Sequence, residues 1–591
     1  MRSLIVSLCA CFASGALLAQ TTNNQFIVGT VQDSTGANVP NTTVTVENEE
    51  THLTRSAVSN ESGNYVVADL PIGAYDVSAT AAGFKKFVLT NVQLSVAQRA
   101  TVNITLQLGN VNESVTVQAE AARVDTSTGE VSSLITGTQA SQIQLNGRNF
   151  PQLLQLLPGV STTYASGFSL FGGYGVNNSG QSINGSRTDT FSWYLDGADN
   201  KDNGGGGNNF ININPDAIAE FRVLTSNYGA EYGGSSGAVV NIAVKSGSTD
   251  FHGIAYEFFR NNDIQARAFN ALTIPELRYN NFGWNVGGPI YIPGHFNKDR
   301  SKLFFFIGED FKRLRQGTTN TWTVPSVAQR GGNFSSLSPS QWPKDPLTGQ
   351  VFPGGIIPQS RWSPNSARLL DNYPVPNFTG SGGNFVFNTV APLNANEYLY
   401  KVDYNISSRN QVSFHYFRDY YTSVQDQTQL IEYNRDIPGT NSSIQWTFVP
   451  TPNTVNIAQF TFTGNVILEN TGIVPNSLFI SNFTRAGQGI TYPLIYNASN
   501  AIPSIQLSGY TSLTATPLNF NNFNRIFDWK DDLAKMIGNH NVKTGILIMR
   551  SRKNQDNVPA INGTFVFNTT SRPAGPTNTS GNVVADALLG N

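Results

Sequence analysis

A mainly β chain in three successive regions is the fold this sequence predicts, and three observations predict it. Apolar and polar residues alternate at the period of a half-buried strand through most of the length, 54 glycines and abundant Asn, Ser and Thr supply turns, and only 13% of residues are charged. With 39% hydrophobic and 11% aromatic residues among 591, there is material for several packed cores, which excludes a disordered chain. Lys and Arg number 37 against 39 Asp and Glu, so no net field draws the chain to nucleic acid or to an anionic membrane surface.

Residues 1–20 read as a secretory signal peptide: Arg2 is a basic start, an apolar run spans Leu4 to Leu18, and small residues surround Ala19. Cleavage there removes Cys9 and Cys11, the only two cysteines, so no disulfide or thiol chemistry is expected of the exported chain. A lipoprotein signal with Cys11 lipidated is the second reading. No later stretch has the roughly 18 uninterrupted apolar residues of a spanning helix. If the chain is integral to a membrane, it must be as a closed β-barrel, because lipid offers the backbone no hydrogen bonds.

Residues 25–110 alternate short strands with turn signals at Ser34-Thr35-Gly36, Ser62-Gly63-Asn64 and Pro71-Ile72-Gly73, which predicts a small β-sandwich. The second region, 111–247, opens with Glu113, Ser114, Val115, Thr116, Val117, Gln118 and Ala119, a short alternating strand followed by a polar stretch too poor in apolar residues to pack it. Two readings stand open. The strand is either available to another chain by β-augmentation or is the last strand of the sandwich. Next, Phe150, Leu153, Leu154 and Leu157 fall at i, i+3, i+4 and i+7, one face of a helix that Asn149 caps, Pro151 starts and Pro158-Gly159 stops. A strand and turn from Phe191 to Asn200 follow. Then come a helical turn after Pro215, a strand over 221–224, a glycine-rich bend and an apolar strand over 239–244, making this region mixed α and β.

In the third region, 251–591, Tyr398, Tyr400, Val402, Tyr404 and Ile406 share one strand face while Lys401, Asp403 and Asn405 share the other. Ile444, Trp446 and Phe448 repeat the pattern, as do Val542, Thr544, Ile546 and Ile548 after a turn at 538–541. One face suits lipid and the other water. A soluble sandwich or propeller shares this alternation. The stretch 315–396, rich in Pro, Gly, Ser and Asn, reads as a long loop of the kind that carries function.

Chemistry finds little footing. Gly233-Gly234-Ser235-Ser236-Gly237 matches G-x-S-x-G, but an apolar strand follows the serine where a nucleophile elbow needs a helix, so a flexible turn is expected. The five histidines, at 52, 252, 295, 415 and 540, lack ligand spacing and are expected at the surface or in turns. Asp196, Asp199 and Asp202 do not follow the EF-hand pattern and are expected in a solvated loop. No phosphate loop of the G-x-x-x-x-G-K-S/T kind is present, and N-x-S/T sequons matter only in a eukaryotic secreted protein. Neither a catalytic site, a metal nor a cofactor is expected.

Two resemblances add to this reading. Gly29, Val31, Asp33, Gly36, Val39-Pro40, Val44, Val46, Gly63-Asn64-Tyr65, Leu70-Pro71, Gly73, Tyr75 and Gly83-Phe84 resemble the carboxypeptidase regulatory-like domain, an immunoglobulin-like or prealbumin-like sandwich often classed as carbohydrate-binding-like. Residues 215–247, with their short helix, strand, Tyr-Gly bend, glycine-rich turn and final VVNIAVKSG, look like the end of the plug of TonB-dependent outer-membrane transporters. Leu145-Asn146-Gly147-Arg148-Asn149-Phe150, Phe251-His252-Gly253, Phe258-Phe259-Arg260-Asn261, Asn280-Asn281-Phe282-Gly283, Gly287-Gly288-Pro289 and Leu303-Phe304-Phe305-Phe306 resemble the Oar-like subgroup of that family. The resemblance implies a plug at 111–247, the first part of a transmembrane antiparallel barrel at 251–591, and Glu113–Ala119 in place of the TonB box. It departs from the commoner box at Thr116 and Gln118.

It further implies the outer membrane of a Gram-negative-type bacterium, a TonB-type energy-transducing partner and an unidentified glycan, peptide or metal-chelate substrate. About nine or ten strands are found by alternation where a plugged barrel uses about 22. The ending, residues 583–591, also lacks the family's terminal aromatic residue, so the sequence reads as a piece of a longer barrel. A secreted or surface β-rich adhesin or carbohydrate-binding protein is the alternative. A secreted carbohydrate-active enzyme ranks third, lacking a recognisable carboxylate pair.

Overall fold

Alternation in the N-terminal region becomes two facing sheets. The strands are β1 (Gln25–Asp33), β2 (Thr43–Asn48), β3 (Thr54–Val58), β4 (Asn64–Leu70), β5 (Gly73–Thr80), β6 (Lys86–Leu94), β7 (Arg99–Thr101), β8 (Ile104–Leu106) and β9 (Ser114–Gln118). One sheet runs β4-β1-β7 with β8 also on β1, and the other runs β3-β2-β5-β6-β9. In β2, Val44 and Val46 are fully buried while Thr43 and Glu47 face water, the period-two pattern of a half-buried strand. At Gly29 a Cβ would lie 1.8 Å from the Val102 carbonyl oxygen, so only glycine lets the strands pack. The buried Tyr65 and Tyr75 hydroxyls donate to the carbonyls of Val102 (2.7 Å) and Pro71 (2.6 Å), leaving the core without orphaned phenols there.

The structure, a computed structural model, describes residues 25–591 apart from 111–112, 119–128, 146, 163–180, 188–189, 205–208, 268–273, 381, 426–427, 493–499, 516–518, 538–539, 559–561 and 569–578. The leader at 1–20, Ala119 and half of the turn at 538–541 therefore lie outside the described residues.

The middle region builds a sheet of its own. It contains β10 (Val131–Thr136), α1 (Gly137–Gln142), a 3-10 helix at Phe150–Leu156, β11 (Val160–Thr162), β12 (Gln181–Ile183), β13 (Ser192–Leu195), β14 (Ala198–Asp199), a 3-10 turn at Pro215–Ala217, β15 (Ile218–Ser226) and β16 (Val239–Val244). The main sheet runs β10-β15-β16-β13-β14, with β11 and β12 paired apart from it. All six residues of β16 are buried, which accounts for its unbroken apolar run around Asn241. Thr136 and Gln139 form a reciprocal capping box at the start of α1.

The helix expected after Asn149 is 3-10, not α. Pro151 sits in its first turn, Pro158 follows it closely, and Asn149 makes no side-chain cap bond, so the seven residues wind tightly from a proline at the start to one just past the end. Its apolar face is nonetheless buried at Phe150, Leu153, Leu154 and Leu157.

The C-terminal region is one antiparallel sheet of nine strands in sequence order among the described residues. They are β17 (His252–Asn261), β18 (Leu277–Pro289), β19 (Leu303–Trp322), β20 (Phe385–Ser407), β21 (Asn410–Gln425), β22 (Ile431–Thr451), β23 (Thr454–Pro475), β25 (Asn519–Ile537) and β26 (His540–Val558), with the short β24 (Ser504–Leu507) and β27 (Thr564–Phe567) paired apart from them. The faces are inverted relative to a soluble sheet. Phe282, Trp284, Phe414, Ile444, Trp446, Phe460 and Trp529 point outward and are exposed, while Asn281, Asn285, Asp310, Asn441, Thr463 and Asn524 point inward and are buried. Water would reward the opposite arrangement; lipid outside and a polar filling inside reward this one.

The two rims differ. On one, two residues each join β20 to β21 (408–409) and β22 to β23 (452–453), Ile537 of β25 pairs with His540 of β26, and 290–302 link β18 to β19; on the other, β17 and β18, β19 and β20, and β23 and β25 are separated by the longer intervals 262–276, 323–384 and 476–518. The sandwich sits at the tight-turn rim: Phe26 and Val66 pack with Ala534, and the Arg55 guanidinium donates to the Ser408 carbonyl. Short turns mark the periplasmic rim of such barrels and long loops the outer one.

The long loop expected at 315–396 is shorter than expected, because β19 runs to Trp322 and β20 starts at Phe385. What remains is a folded cap. Val324, Phe334, Phe352, Ile357, Leu370 and Tyr373 share a core with Ile480, Ile490, Ile502 and Leu513 from a later loop, and with Phe567, Val584 and Leu588 from the end of the chain. Helices α2 (Pro364–Leu370) and α3 (Val583–Leu589) belong to it. Polar loop composition hid this core because its apolar residues are spread over three connections.

Candidate functional site

The plug is held together by an aromatic nucleus. Phe150 meets Trp193 edge-on at 6.0 Å and Phe221 at 6.2 Å, and Phe191 meets Trp193 at 5.5 Å. Phe306, Leu399, Phe417 and Ile526 of the barrel wall join the same apolar core, so the 3-10 helix and the plug sheet are anchored to the wall by packing. This is why a β-rich chain carries short helical pieces here: they fill the lumen between sheet and wall. Beside Phe150, buried Arg148 pairs with Asp216, and its guanidinium lies 4.0 Å over the Phe258 ring and 5.0 Å over Tyr256.

Around this nucleus the contact is polar. Lys401 Nζ on β20 is 2.9 Å from the Asp196 carboxylate and donates to the Val244 carbonyl at 3.0 Å. Asp403 accepts from Ser246 of the plug and from Ser413 Oγ at 2.5 Å. Asp419 accepts from the Asn212 backbone N–H at 3.0 Å, and the Asn441 amide donates to the Asp199 carbonyl at 2.9 Å. Lys553 on β26 lies 3.6 Å from Asp202.

Two expectations are corrected here. Asp196, Asp199 and Asp202 do not lie in a solvated loop: Asp199 and Asp202 are buried and Asp196 is mostly so, because the turn between β13 and β14 faces the wall. His415 is neither at the surface nor in a turn. It is buried in the lumen, bonded through Nε2 to Asn441 at 2.8 Å and stacked on Phe417 at 4.2 Å. Its signal in the sequence was its parity with Phe417 and Asp419 on the inward face of β21.

The G-x-S-x-G stretch is a turn in which Ser235 Oγ bonds the Thr190 carbonyl at 3.0 Å. Among the described residues no group of three or more His, Cys, Asp or Glu is arranged to hold a metal.

Burial pushes the Asp199 carboxyl up to about 6 from its ordinary 3.8, against the opposing N–H bond from Lys201 at 2.7 Å. Neutral Asp199 is therefore the form the fold favours, so its contribution is fully present below pH 3.8 and is lost as pH rises through about 6. The urea midpoint of Asp199→Asn is expected to fall less than that of the parent as pH is raised from about 4 to about 7. Parallel curves for the two proteins would contradict this.

Of the segment Glu113–Ala119, the structure places Ser114–Gln118 as β9, parallel to β6 with Lys86 opposite Ser114 and Thr90 opposite Gln118. That is the sandwich-strand position among the two readings left open. The segment is an edge strand of its sheet among the described residues, and Glu113, Ser114, Thr116 and Val117 are exposed.

Comparison with known proteins accords with this architecture. Residues 27–107 match the carboxypeptidase regulatory-like domain, 123–240 the TonB-dependent receptor plug domain, and 243–591 the outer membrane beta barrel domain. The TonB-dependent transporter Oar of Myxococcus xanthus is 24% identical over 333 residues, 52% of this chain and 28% of that protein. The chain thus spans well under half the length of that relative. Among solved structures, a mutant ferric enterobactin receptor (PfeA) of Pseudomonas aeruginosa is 12% identical, covering 70% of this chain and 48% of its own at a TM-score of 0.38. The outer membrane transporter YddB of Escherichia coli is 10% identical, covering 68% of this chain and 45% of its own at 0.39. The barrel match alone takes in more than half of the sequence, and with the plug match ahead of it the chain belongs to the plugged outer-membrane β-barrel family and resides in the outer membrane.

Proposed function

We propose that this chain works as a TonB-dependent transporter, moving a solute through the barrel when a TonB-type protein pulls from the periplasmic side. The observation that carries the reading is the placement of β9: an exposed edge strand at the start of the plug region, on a sandwich docked at the tight-turn rim. Unpaired N–H and C=O groups on such an edge accept an added strand, and β-augmentation supplies both grip and direction of pull. An outer membrane full of pores stores no ion gradient, so the work must arrive mechanically.

A catalytic role is not part of this reading. The adhesin alternative is disfavoured by the exposed belt of Trp284, Trp446 and Trp529, which a water-borne protein would bury.

Deleting residues 113–119 is expected to abolish capture of the purified periplasmic domain of a TonB-type protein. Thr116→Pro, which removes a backbone donor on the free edge of β9, is expected to weaken capture by about 0.5–1.5 kcal/mol. Undiminished capture by the deletion variant would refute this role for the segment.

A further inference from the structure

A chamber of about 840 Å³ lies where sandwich, plug and barrel wall meet. Its floor is sandwich, including Asn48, Glu50 and Gln93; its roof is the end of β16 with Asp196; its side is the inward face of β20 to β23. Of the plug's apolar core only Val244 reaches it, and none of the cap core does. The volume lies within the range of about 300–1,000 Å³ typical of small-molecule sites.

The wall of the chamber has a chemistry of its own. Gln411, Ser413, Ser443, Gln445, Thr447 and Gln459 line it with neutral amides and hydroxyls, whereas the inward face of β25 carries Asp528, Lys530 and Asp532. Among the charges at the chamber, Lys401 pairs with Asp196, Asp403 accepts from two serine hydroxyls and Glu220 accepts from the Val96 backbone N–H. With that pair set aside, Glu49, Glu50, Glu220, Asp250 and Asp403 outnumber Lys245, so the lining repels an anion, while amide and hydroxyl groups recur at strand spacing.

The floor is held lightly compared with the roof. The contacts of the sandwich with the rest of the chain include Phe26 and Val66 on Ala534, Lys543 over the Phe26 ring at 4.6 Å, Arg55 at Ser408 and Gln411, the Thr249 N–H to the Glu50 carbonyl at 3.1 Å, and the Val96 N–H to Glu220. The roof belongs to the plug, which shares a full apolar core with the wall. A force applied at β9 acts on β6, its neighbour in the sandwich sheet, before it reaches the plug nucleus.

We propose that this chamber is the exit vestibule of the transport path, that it takes an uncharged solute dense in hydroxyl and amide groups, and that the sandwich is its lid. The proposal rests on the transporter reading given above. It places the path along β20 to β23, with Lys401 and Asp196 as the contact between vestibule and lumen. The sandwich swings away first; the plug yields afterwards.

The test needs no TonB-type partner, so its failure is distinguishable from failure of the transporter reading. A Gln445→Cys thiol in the full chain, purified in detergent, is labelled with a charged maleimide, and the label is located by peptide mapping. Removing residues 25–110, or combining Phe26→Ser with Arg55→Ala to loosen the lid without deleting it, is expected to speed labelling at least about tenfold, since the open form is otherwise a minor population. Lys553→Ala, which breaks a plug contact on β26 and leaves the sandwich seated, is expected to leave the rate unchanged.

With the lid removed, N,N′-diacetylchitobiose is expected to slow labelling and citrate is not. Equal labelling with and without the sandwich overturns the lid. Protection by citrate, or by neither solute, overturns the solute class.

Discussion

Replacing Lys312 by methionine is expected to destabilise the barrel by about 3–5 kcal/mol, because it strands two carboxylates inside the wall. Lys312 Nζ lies 2.7 Å from Glu397 and 3.6 Å from Asp310, and all three side chains are at most 2% exposed. Asp310 also accepts from the Tyr256 hydroxyl at 2.8 Å and from the Asn281 amide at 2.7 Å, so the lysine lies within a hydrogen-bonded network that links β17 to β20. Removing one partner of a buried pair costs far more than the pair contributes, since desolvation of the remaining charge goes uncompensated. Urea unfolding of the protein in lipid measures it. The triple change Lys312→Met, Asp310→Asn, Glu397→Gln should recover most of the loss. By contrast Lys85 with Glu113, half in solvent, is worth about 0–1 kcal/mol. A Lys312→Met protein within about 1 kcal/mol of the parent would show that the network is not desolvated.

Arginine on the outer face is the second large effect. Ile444 and Trp446 on β22 are 48% and 44% exposed, in a belt with Phe414 and Phe460 on the neighbouring strands. If that belt meets acyl chains, Ile444→Arg costs about 2–4 kcal/mol near the bilayer midplane and progressively less toward either rim. The same change on a water-exposed sheet face stays within about 0.5 kcal/mol. Comparing refolding into lipid vesicles with Asn410→Arg, at the rim turn, separates the two. A neutral result at Ile444 would remove the membrane from the account of the outer face.

Much of this architecture is legible along the chain, though not its destinations. Strand β16 runs over 239–244 as its apolar run predicts, and the faces of β20 and β22 sort by parity as the alternation of Tyr400, Lys401, Ile444 and Gln445 requires. Turn residues placed the β13 to β14 hairpin and the turn after Pro215. The cap core was not legible, since its apolar residues meet partners far away in sequence, whereas the 3-10 winding at Phe150 and the inward position of His415 had local signals in the flanking prolines and in the parity with Phe417 and Asp419.

Local chemistry alone therefore determined which stretches are strands, where they turn and which face of each is apolar, because backbone preference and side-chain period act over a few residues. Tertiary structure alone decided what the polar faces meet. Asp199 reaches Asn441 across 242 residues, Asp196 reaches Lys401, and β9 lies beside β6 although its sequence suits a free strand equally well. A buried polar side chain is tolerable only opposite a matching group, and that match exists only once the plug is seated in the wall and the sandwich beneath it.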